Sequence, residues 1–195
     1  MGARGSYRKG IAKREEILTI ALDVVAREGY GGTSLRELAD AVGLSQTGLL
    51  HYFESKDELL TAVLKRRDEL DGERLRDVDG PYQLAHSLRH NATVPGLVML
   101  YARLSVEAAD ADHPAHEYFA ERFEDVRAHI AEIVRVGQAE GTINPALDPD
   151  MAATIALALG DGLQIQWLYD RDVDMAAHVE HLWESLVRVV ASDDE

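Results

Sequence analysis

Residues 33–60 read TSLRELADAVGLSQTGLLHYFESKDELL, and this stretch contains three places where a helix can begin. The first start has Ser34 followed three residues later by Glu37, which is the spacing of a capping box. The third start repeats that spacing with Ser55 and Glu58. The connections between the three starts are too short for anything except tightly packed helices.

The second start follows a short turn. Gly43 supplies the left-handed residue that ends the first helix, Leu44 fills the corner, and Ser45 caps the next helix. A turn of this length sets two short helices at a steep angle, so the second can lie in the major groove of DNA while the first supports it. We therefore predict a helix-turn-helix whose reading helix runs from Ser45 to about Tyr52.

At these residues the chain resembles the TetR family of bacterial transcription regulators, whose usual pattern is T-x-x-x-I-A-x-x-A-G-V-S-x-x-T-x-Y-x-Y-F-x-S-K-x-x-L-L. The resemblance covers most of the first sixty residues. Two positions depart from the pattern, since the family often has Thr where Gly48 stands and Tyr where Leu50 stands. The positions in register are Leu38, Ala39, Gly43, Ser45, Tyr52, Phe53, Ser55, Lys56, Leu59 and Leu60.

Within the reading helix, Gln46 and Thr47 are predicted to contact base edges, because Gln can pair with adenine and the Thr methyl group can contact thymine. Arg36, on the supporting helix, can reach a guanine or a phosphate. Instead of contacting DNA, Tyr52 could pack in the core beside Phe53. Lys56 could instead be a solvated residue at the helix start. The residues predicted to clamp phosphates or complete the DNA-binding set are Ser45, Gly48, His51, Tyr52 and Lys56.

The net charge of −15 is unevenly divided along the chain. Residues 1–56 carry eight Lys or Arg and seven Asp or Glu, which leaves a net charge of +1. Residues 57–195 carry twelve basic and twenty-eight acidic residues, a net charge of −16. The acidic part should repel DNA, so binding is restricted to the N-terminal region and depends strongly on salt.

The first fourteen residues contain five basic side chains and no acidic one. Such an arm suits contacts with phosphates or with the minor groove. The alternative is a solvated, disordered tail. The basic residues are Arg4, Arg8, Lys9, Lys13 and Arg14.

Composition limits the class of protein. The chain has 195 residues, of which 46% are hydrophobic and 28% charged, enough for one large or two small domains. Because cysteine is absent, disulfides and thiolate metal sites are excluded. The longest apolar run, residues 151–160, is far shorter than the ~20 residues that cross a bilayer. No secretory signal is recognisable, so we expect a cytoplasmic protein without membrane contacts.

No strand-like alternation appears after residue 60, and Gly, Pro, Asn and Asp separate apolar segments of helical period. We predict an all-α fold of about nine helices, with a helix-turn-helix head in residues 1–54 and a helical ligand-binding and dimerisation domain in residues 55–195. Besides the two helices of the helix-turn-helix, the predicted helices are about 12–28, 55–72, 82–92, 95–109, 114–140, 149–169 and 174–191.

The predicted helix at 149–169 begins with Asp148 as cap and Pro149 in its first turn. Between Met151 and Tyr169 its sole acidic or basic residue is Asp161, so its surface is apolar nearly all round. Such a helix is buried on two sides, which predicts that it pairs with the last helix across a two-fold axis as a four-helix bundle. The alternative is a purely internal helix. Predicted interface residues are Met151, Ile155, Leu159, Val179, Leu182, Trp183 and Leu186.

The resemblance favours the dimer, because TetR-like proteins usually pair through their last two helices. A two-fold dimer requires a palindromic or nearly palindromic operator in double-stranded DNA. Residues 160–170, GDGLQIQWLYD, also resemble the BetI-type subgroup of the family.

The resemblance further implies a pocket for a small-molecule effector, whose occupancy moves the fourth helix, about residues 55–71. The sequence does not identify the effector. Each candidate lining residue could instead be an ordinary core residue. Trp167 and Tyr101 together suggest an aromatic cage for a quaternary ammonium group. The candidates are Met99, Tyr101, Phe119, Phe123, Leu163, Gln164 and Trp167.

A helical metal-dependent enzyme or a partner-docking protein is the alternative function. Three histidine pairs have the spacing that places two imidazoles on one helical face: His86 and His90, His113 and His116, and His178 and His181. No third ligand completes any pair, and H-E-x-x-H, a nucleophile elbow, a phosphate loop and a dinucleotide fingerprint are all missing. We therefore expect no metal, no cofactor and no catalysis.

Overall fold

The computed structural model describes residues 2–188, with side chains described for 9–29 and 33–185. Within these ranges the chain forms nine α-helices and one short 3-10 helix and contains no strand, which confirms the all-α prediction. The helices are α1 (Gly2–Gly32), α2 (Leu35–Ala41), α3 (Gln46–Leu49), α4 (Lys56–Leu75), the 3-10 helix (Gly80–Tyr82), α5 (Gln83–Asn91), α6 (Pro95–Glu107), α7 (His116–Ala139), α8 (Pro149–Tyr169) and α9 (Met175–Arg188).

The chain divides into two compact units. The first unit comprises Met1–Asp71 and Val94–Tyr118, and the second comprises Gly72–Thr93 and Phe119–Glu195. Helices α4 and α7 therefore each contribute residues to both units. The predicted boundary at residue 54 was based on expected functional roles, differs from this division into packing units, and stays a prediction.

Helix α1 is longer than predicted. Its backbone is helical from Gly2, so the basic segment that we expected to be an arm or a tail is part of this helix. The helix is interrupted at Gly29, whose φ of 71° lies in the left-handed region that glycine adopts readily. The side chains of Arg4 and Arg8 lie outside the described residues. The buried residues of α1 recur at helical spacing: Ile17, Leu18, Ala21, Val24 and Val25.

In the first unit, α6 packs against α1, and Gly96 lies at the point of closest approach. A Cβ atom added at Gly96 would lie 2.0 Å from the carbonyl oxygen of Val25 and 2.8 Å from that of Ala26. These are backbone atoms, so a side-chain rotation cannot relieve the overlap. The spacing of the two helices therefore requires glycine at this position.

In the second unit, α5 packs against α8 and α9. Asn91 Nδ2 on α5 donates a hydrogen bond of 3.0 Å to Gln164 Oε1 on α8, and both side chains are buried. Arg89 donates from Nη2 to Glu180 Oε1 on α9 at 2.7 Å, and this hydrogen bond raises the pKa of Arg89 above its usual value. Specific polar contacts thus join α5 to α8 and to α9, in addition to apolar burial.

Helix α8 begins as its sequence predicts. The Asp148 side chain accepts hydrogen bonds from the backbone N–H groups of Asp150 at 2.9 Å and Met151 at 3.0 Å. Pro149 occupies the first turn, where its missing N–H leaves no donor unsatisfied. The local signals at this helix start are therefore confirmed.

The close approach at Gly96 predicts that Gly96→Ala destabilises the protein, by roughly 1–3 kcal/mol or more, because α1 and α6 must separate. Gly72→Ala is the matched control, since it is a helical glycine on α4 with no atom within 4 Å of an added Cβ. The control should be neutral or stabilising by about 1 kcal/mol or less. Urea unfolding measures both variants, and equal stability of the two would contradict the packing argument.

Candidate nucleic-acid interface

Helix α2 starts with the predicted capping box. Ser34 Oγ accepts a hydrogen bond from the backbone N–H of Glu37 at 3.1 Å, and the Glu37 carboxylate accepts one from the backbone N–H of Ser34 at 2.6 Å. These hydrogen bonds hold the pKa of Glu37 below its usual value, with a further lowering from the charge of Lys56. The start of α2 is thereby fixed, and its residues Leu38 and Ala39 are buried.

The turn between α2 and α3 has the predicted glycine geometry. Gly43 has a φ of 69°, which a residue with a side chain rarely adopts. The Leu44 N–H donates to the carbonyl oxygen of Ala39 at 2.9 Å and closes the end of α2. The chain therefore changes direction within a few residues, and Ser45 lies at the start of α3.

Helix α3 is shorter than the predicted Ser45 to Tyr52, because regular helix ends at Leu49 and a turn follows. Ser45 Oγ accepts a hydrogen bond from the Gly48 N–H at 3.0 Å, which is the predicted cap. The turn continues with a 3.0 Å hydrogen bond from the Tyr52 N–H to the carbonyl oxygen of Leu49. The reading element is therefore one helical turn extended by a hydrogen-bonded turn.

Exposed side chains on this element lie opposite its buried ones. Leu49 is completely buried. Gln46, Thr47, Leu50 and His51 are all exposed, at the spacing of one side of a helix. Amide, hydroxyl, apolar and imidazole groups are thus presented together, a mixture that suits contact with base edges and phosphates.

The remaining predicted DNA contacts lie at the edge of this surface. Arg36 on α2 is highly exposed, and its Nε atom lies 3.8 Å from Asp40 Oδ2, too far for a hydrogen bond. Tyr52 and Lys56 are half-buried, and Ser45 is exposed although its hydroxyl is used as a cap. The structure therefore brings the predicted residues together around α3, and their individual contacts with DNA stay a prediction.

The third helix start departs from the predicted reciprocal pairing. Ser55 Oγ accepts a hydrogen bond from the Glu58 N–H at 3.0 Å, as expected. The Glu58 carboxylate, however, accepts its hydrogen bond from the Glu54 N–H rather than from Ser55. The glutamate reaches one residue further back, and it still satisfies an N–H group that precedes α4.

Arg14 has a structural role that sequence analysis missed. Its guanidinium lies 4.6 Å from the ring centroid of Phe53, and Nη2 lies 3.7 Å from Glu58 Oε1. Arg14 therefore connects α1 to the end of the reading element and to α4. We had grouped it with the basic arm, and nothing local in the sequence distinguishes it from Lys13, which pairs with Glu16 on its own helix at 2.9 Å.

Two family models match the chain. Residues 17–63, which include α2 and α3, match the model for bacterial regulatory proteins of the tetR family. Residues 100–183 match the Tetracyclin repressor-like C-terminal domain. Together these matches cover more than half of the chain and include the helix-turn-helix described above. The chain belongs to the TetR family.

Curated relatives agree with this membership. The transcriptional repressor KstR2 of Mycolicibacterium smegmatis is 29% identical over 157 residues, which is 72% of this chain and 72% of that protein. The transcriptional regulator RutR of Escherichia coli K12 is 46% identical over 55 residues, but this covers only 28% of this chain and 26% of RutR. These relatives are transcription regulators.

Solved structures of transcription regulators share the fold. A regulator from Agrobacterium tumefaciens has a TM-score of 0.71 at 18% identity, covering 91% of this chain and 99% of that one. FadR from Bacillus subtilis, solved with stearoyl-CoA, has a TM-score of 0.66 at 20% identity, covering 89% and 97%. These matches do not show the narrower BetI-type resemblance of residues 160–170, which stays a prediction.

In this TetR-family chain, the predicted pocket residues belong to both units. In the first unit, Met99 is exposed, whereas Tyr101 is buried with the guanidinium of Arg67 at 5.1 Å from its ring centroid. In the second unit, the guanidinium of Arg171 lies 3.8 Å from the ring centroid of Trp167. Both rings considered for an aromatic cage therefore already face an arginine.

The other four predicted pocket residues lie in the second unit. Phe119 is buried and its ring centroid is 6.0 Å from that of half-buried Phe123. Leu163 is buried, and Gln164 is buried with its amide oxygen bound to Asn91. The geometry gives Gln164 a structural partner, and its assignment to a pocket stays untested.

The predicted dimer residues differ in exposure. Met151 and Ile155 on α8 are 63% and 54% exposed, and Leu159 and Leu182 are half-buried. The prediction needs correction at Val179 and Trp183, which are buried within the chain itself and have no surface for a partner. An apolar side chain on α9 can face either its own core or a partner, and periodicity does not distinguish the two. The side chain of Leu186 lies outside the described residues.

The histidine pairs form no metal site in the described part of the chain, where no group of three His, Cys, Asp or Glu residues has a suitable arrangement. His116 Nδ1 lies 2.9 Å from the carbonyl oxygen of Ala108, and His178 Nδ1 lies 2.7 Å from that of Asp174. These rings are thus bound to backbone. None of the helices described is long and apolar enough to span a membrane.

The capping box at α2 predicts a pH-dependent contribution to stability. Because the pKa of Glu37 is lowered in the folded state, its stabilising effect is complete above the unfolded pKa and is lost as the pH falls through the folded pKa. Glu37→Gln should therefore be less stable than the parent at pH 7, and the difference should shrink between about pH 5 and pH 3.

Thermal unfolding across this pH range measures the effect. Glu121→Gln, which removes an exposed carboxylate from α7, controls for the loss of one surface charge. A difference between Glu37→Gln and the parent that stays constant with pH would contradict the role of the Glu37 charge in capping.

Proposed function

We propose that this TetR-family regulator is a repressor that binds a palindromic operator as a dimer and leaves it when a small molecule binds to residues 55–195. The observation that carries the proposal is the exposed group on α3 and its following turn, presented on one side of a capped and buried element. Residues 1–54 supply DNA recognition in this proposal. The similarity to the repressor KstR2 supports repression rather than activation.

Within the head, Gln46 and Thr47 read base edges, because they are exposed at the start of α3. Leu50 is also exposed and suits contact with a thymine methyl group. Arg36 reaches a base or phosphate from α2. The phosphate contacts, with Gly48 allowing close backbone approach, are made by Ser45, His51, Tyr52 and Lys56.

Dimerisation uses a stripe of apolar and aromatic side chains along α8, all exposed except half-buried Leu159, which we call the α8 stripe. Its exposed members are spaced by about three to four residues or a multiple of that spacing, so they follow one side of the helix. Tyr169, at the end of the stripe, is 91% exposed, which is unusual for an aromatic side chain that no partner covers. The stripe consists of Met151, Ile155, Leu159, Ile165 and Tyr169.

Response to a small molecule is supported by FadR, which was solved with stearoyl-CoA. Helix α4 begins at Lys56, directly after the reading element, so a change in α4 alters the support of the head. An effector releases DNA only if it binds the non-DNA form more tightly than the DNA-bound form. The effector of this chain is unknown, and the proposal includes no catalytic step.

The assignment of base and phosphate contacts predicts different effects for Gln46→Ala and Lys56→Ala. Gln46→Ala should relax base preference at one position per half-site, because it removes a base contact worth about 1–3 kcal/mol. Lys56→Ala should weaken binding to all sequences similarly and reduce the salt dependence of binding. Selection from a random duplex library at two salt concentrations, followed by affinity measurement, tests both, with folding checked by thermal unfolding.

An unchanged base profile for Gln46→Ala would refute its role in reading sequence. Failure of the parent protein to enrich any inverted repeat at low salt would refute the proposed function as a whole.

The α8 stripe predicts that Ile155→Glu converts the dimer to a monomer and weakens operator binding, because a charge would be buried in the interface. Val106→Glu is the matched control, since Val106 is 72% exposed on α6 and lies outside the stripe. Sedimentation velocity at several concentrations distinguishes the two variants. A monomeric parent, or a dimeric Ile155→Glu variant, would show that the stripe is not the interface.

A further inference from the structure

Among the side chains that the structure describes, Arg67 is the one formally charged group that is buried, with 5% of the residue exposed. It lies on α4 within the first unit. Burial of a guanidinium is unfavourable unless its charge is balanced and its N–H groups have acceptors.

The charge of Arg67 is balanced by residues of its own helix. Nη2 donates to Asp68 Oδ1 at 2.9 Å, and Nε lies 3.8 Å from Asp71 Oδ2. The other carboxylate oxygen of Asp68 accepts a 2.6 Å hydrogen bond from the hydroxyl of Tyr118. The guanidinium also lies over the ring of Tyr101. The positive charge of Arg67 is therefore balanced by nearby carboxylates.

The hydrogen bonds of Arg67 are incomplete. Nε and Nη1 are both buried and have no hydrogen-bond partner. The separation of 3.8 Å between Nε and Asp71 Oδ2 is too long for a hydrogen bond. Buried donors in folded proteins almost always have an acceptor, and a donor left without one destabilises the arrangement that contains it. The feature missing at Arg67 is therefore an acceptor oxygen.

We propose that Arg67 recognises an uncharged effector through a carbonyl oxygen that accepts a hydrogen bond from Nε or Nη1. This inference rests on the proposed function, in which the helical part of the chain binds a small molecule. A carboxylate ligand would bring another negative charge to a cation that already has Asp68 and Asp71 beside it. A ketone, amide or ester oxygen satisfies the donors without that charge.

Recognition by Arg67 is coupled to movement. Because Nε and Nη1 are buried in this arrangement, a ligand oxygen can reach them only if the residues around the guanidinium shift. Helix α4 begins directly after the reading element, so a shift at Arg67 changes the support of the head. A carbonyl compound that binds the shifted form more tightly therefore favours that form over the DNA-binding one.

Arginine Nε–Hε resonances in a ¹⁵N NMR spectrum test the proposal directly. The Arg67 resonance is assigned by its loss in Arg67→Lys, which keeps the positive charge but lacks Nε and Nη1. Cyclohexanone and N-methylpyrrolidone are the uncharged carbonyl probes, and cyclohexanecarboxylate and hexanoate are the anionic probes. Arg103→Lys is the matched control, because Arg103 is an exposed arginine on α6.

The uncharged carbonyl probes should shift the Arg67 resonance in a saturable manner, and the anionic probes should not. In Arg67→Lys their affinity, measured by ligand-dependent thermal stabilisation, should fall by about tenfold or more, whereas Arg103→Lys should bind as the parent does. The proposal is overturned if neither carbonyl probe moves the resonance up to its solubility limit, or if the carboxylates move it equally. If Arg67→Lys does not fold, the resonance is assigned by sequential methods and the titration of the parent protein decides.

Binding to selected inverted-repeat DNA, measured without any probe, separates this inference from the proposed function. A protein that binds such DNA but shows no carbonyl-dependent shift refutes the role of Arg67 alone. A protein that shows the shift but binds no DNA supports the site and refutes the repressor proposal. Release of DNA by cyclohexanone from the parent but not from Arg67→Lys is the result expected if both hold.

Discussion

The reading element depends on the burial of Leu49. A helix of four residues is not stable by itself, because the cost of nucleation exceeds what one turn returns. Leu49 supplies the tertiary anchor, and the Ser45 hydroxyl fixes the helix start by accepting the Gly48 N–H. Leu49 lies on the inner side of the helical turn and the Ser45 cap lies at its start. Gln46 and Thr47 therefore remain exposed. The surface proposed to contact DNA therefore contributes little to the stability of its own helix.

Arg14 extends this dependence to the rest of the first unit. Its guanidinium lies over Phe53 and beside Glu58, so α1, the end of the reading element and the first turn of α4 meet at one side chain. Helix α1 is in turn held close to α6 by the absence of a side chain at Gly96. The position of the reading surface is thus determined by contacts far along the chain from α3. This arrangement allows changes in the first unit to reach the head through packing.

The features that sequence analysis predicted well are those set by neighbouring residues. Ser34, Ser45 and Asp148 each cap a helix where their local spacing indicates, and Gly43 has the left-handed geometry that its turn requires. Contacts between distant residues were not predictable in the same way, as the pairing of Arg14 with Phe53 illustrates. Trp183 was assigned to the dimer because an apolar residue on an amphipathic helix can face its own core or a partner, and only the three-dimensional packing decides.

Two buried polar sites differ in whether their hydrogen-bonding groups have partners. The side chains of Asn91 on α5 and Gln164 on α8 form a hydrogen bond with each other, which specifies how those helices pack. These two amide groups therefore do not need a ligand as a hydrogen-bond partner. Arg67 has balanced charge but two donors without acceptors. None of the residues that contact the guanidinium accepts a hydrogen bond from Nε or Nη1. In the proposed carbonyl site, an acceptor reaches these donors only in a second arrangement of the residues around Arg67, and a ligand that prefers that arrangement acts as a switch.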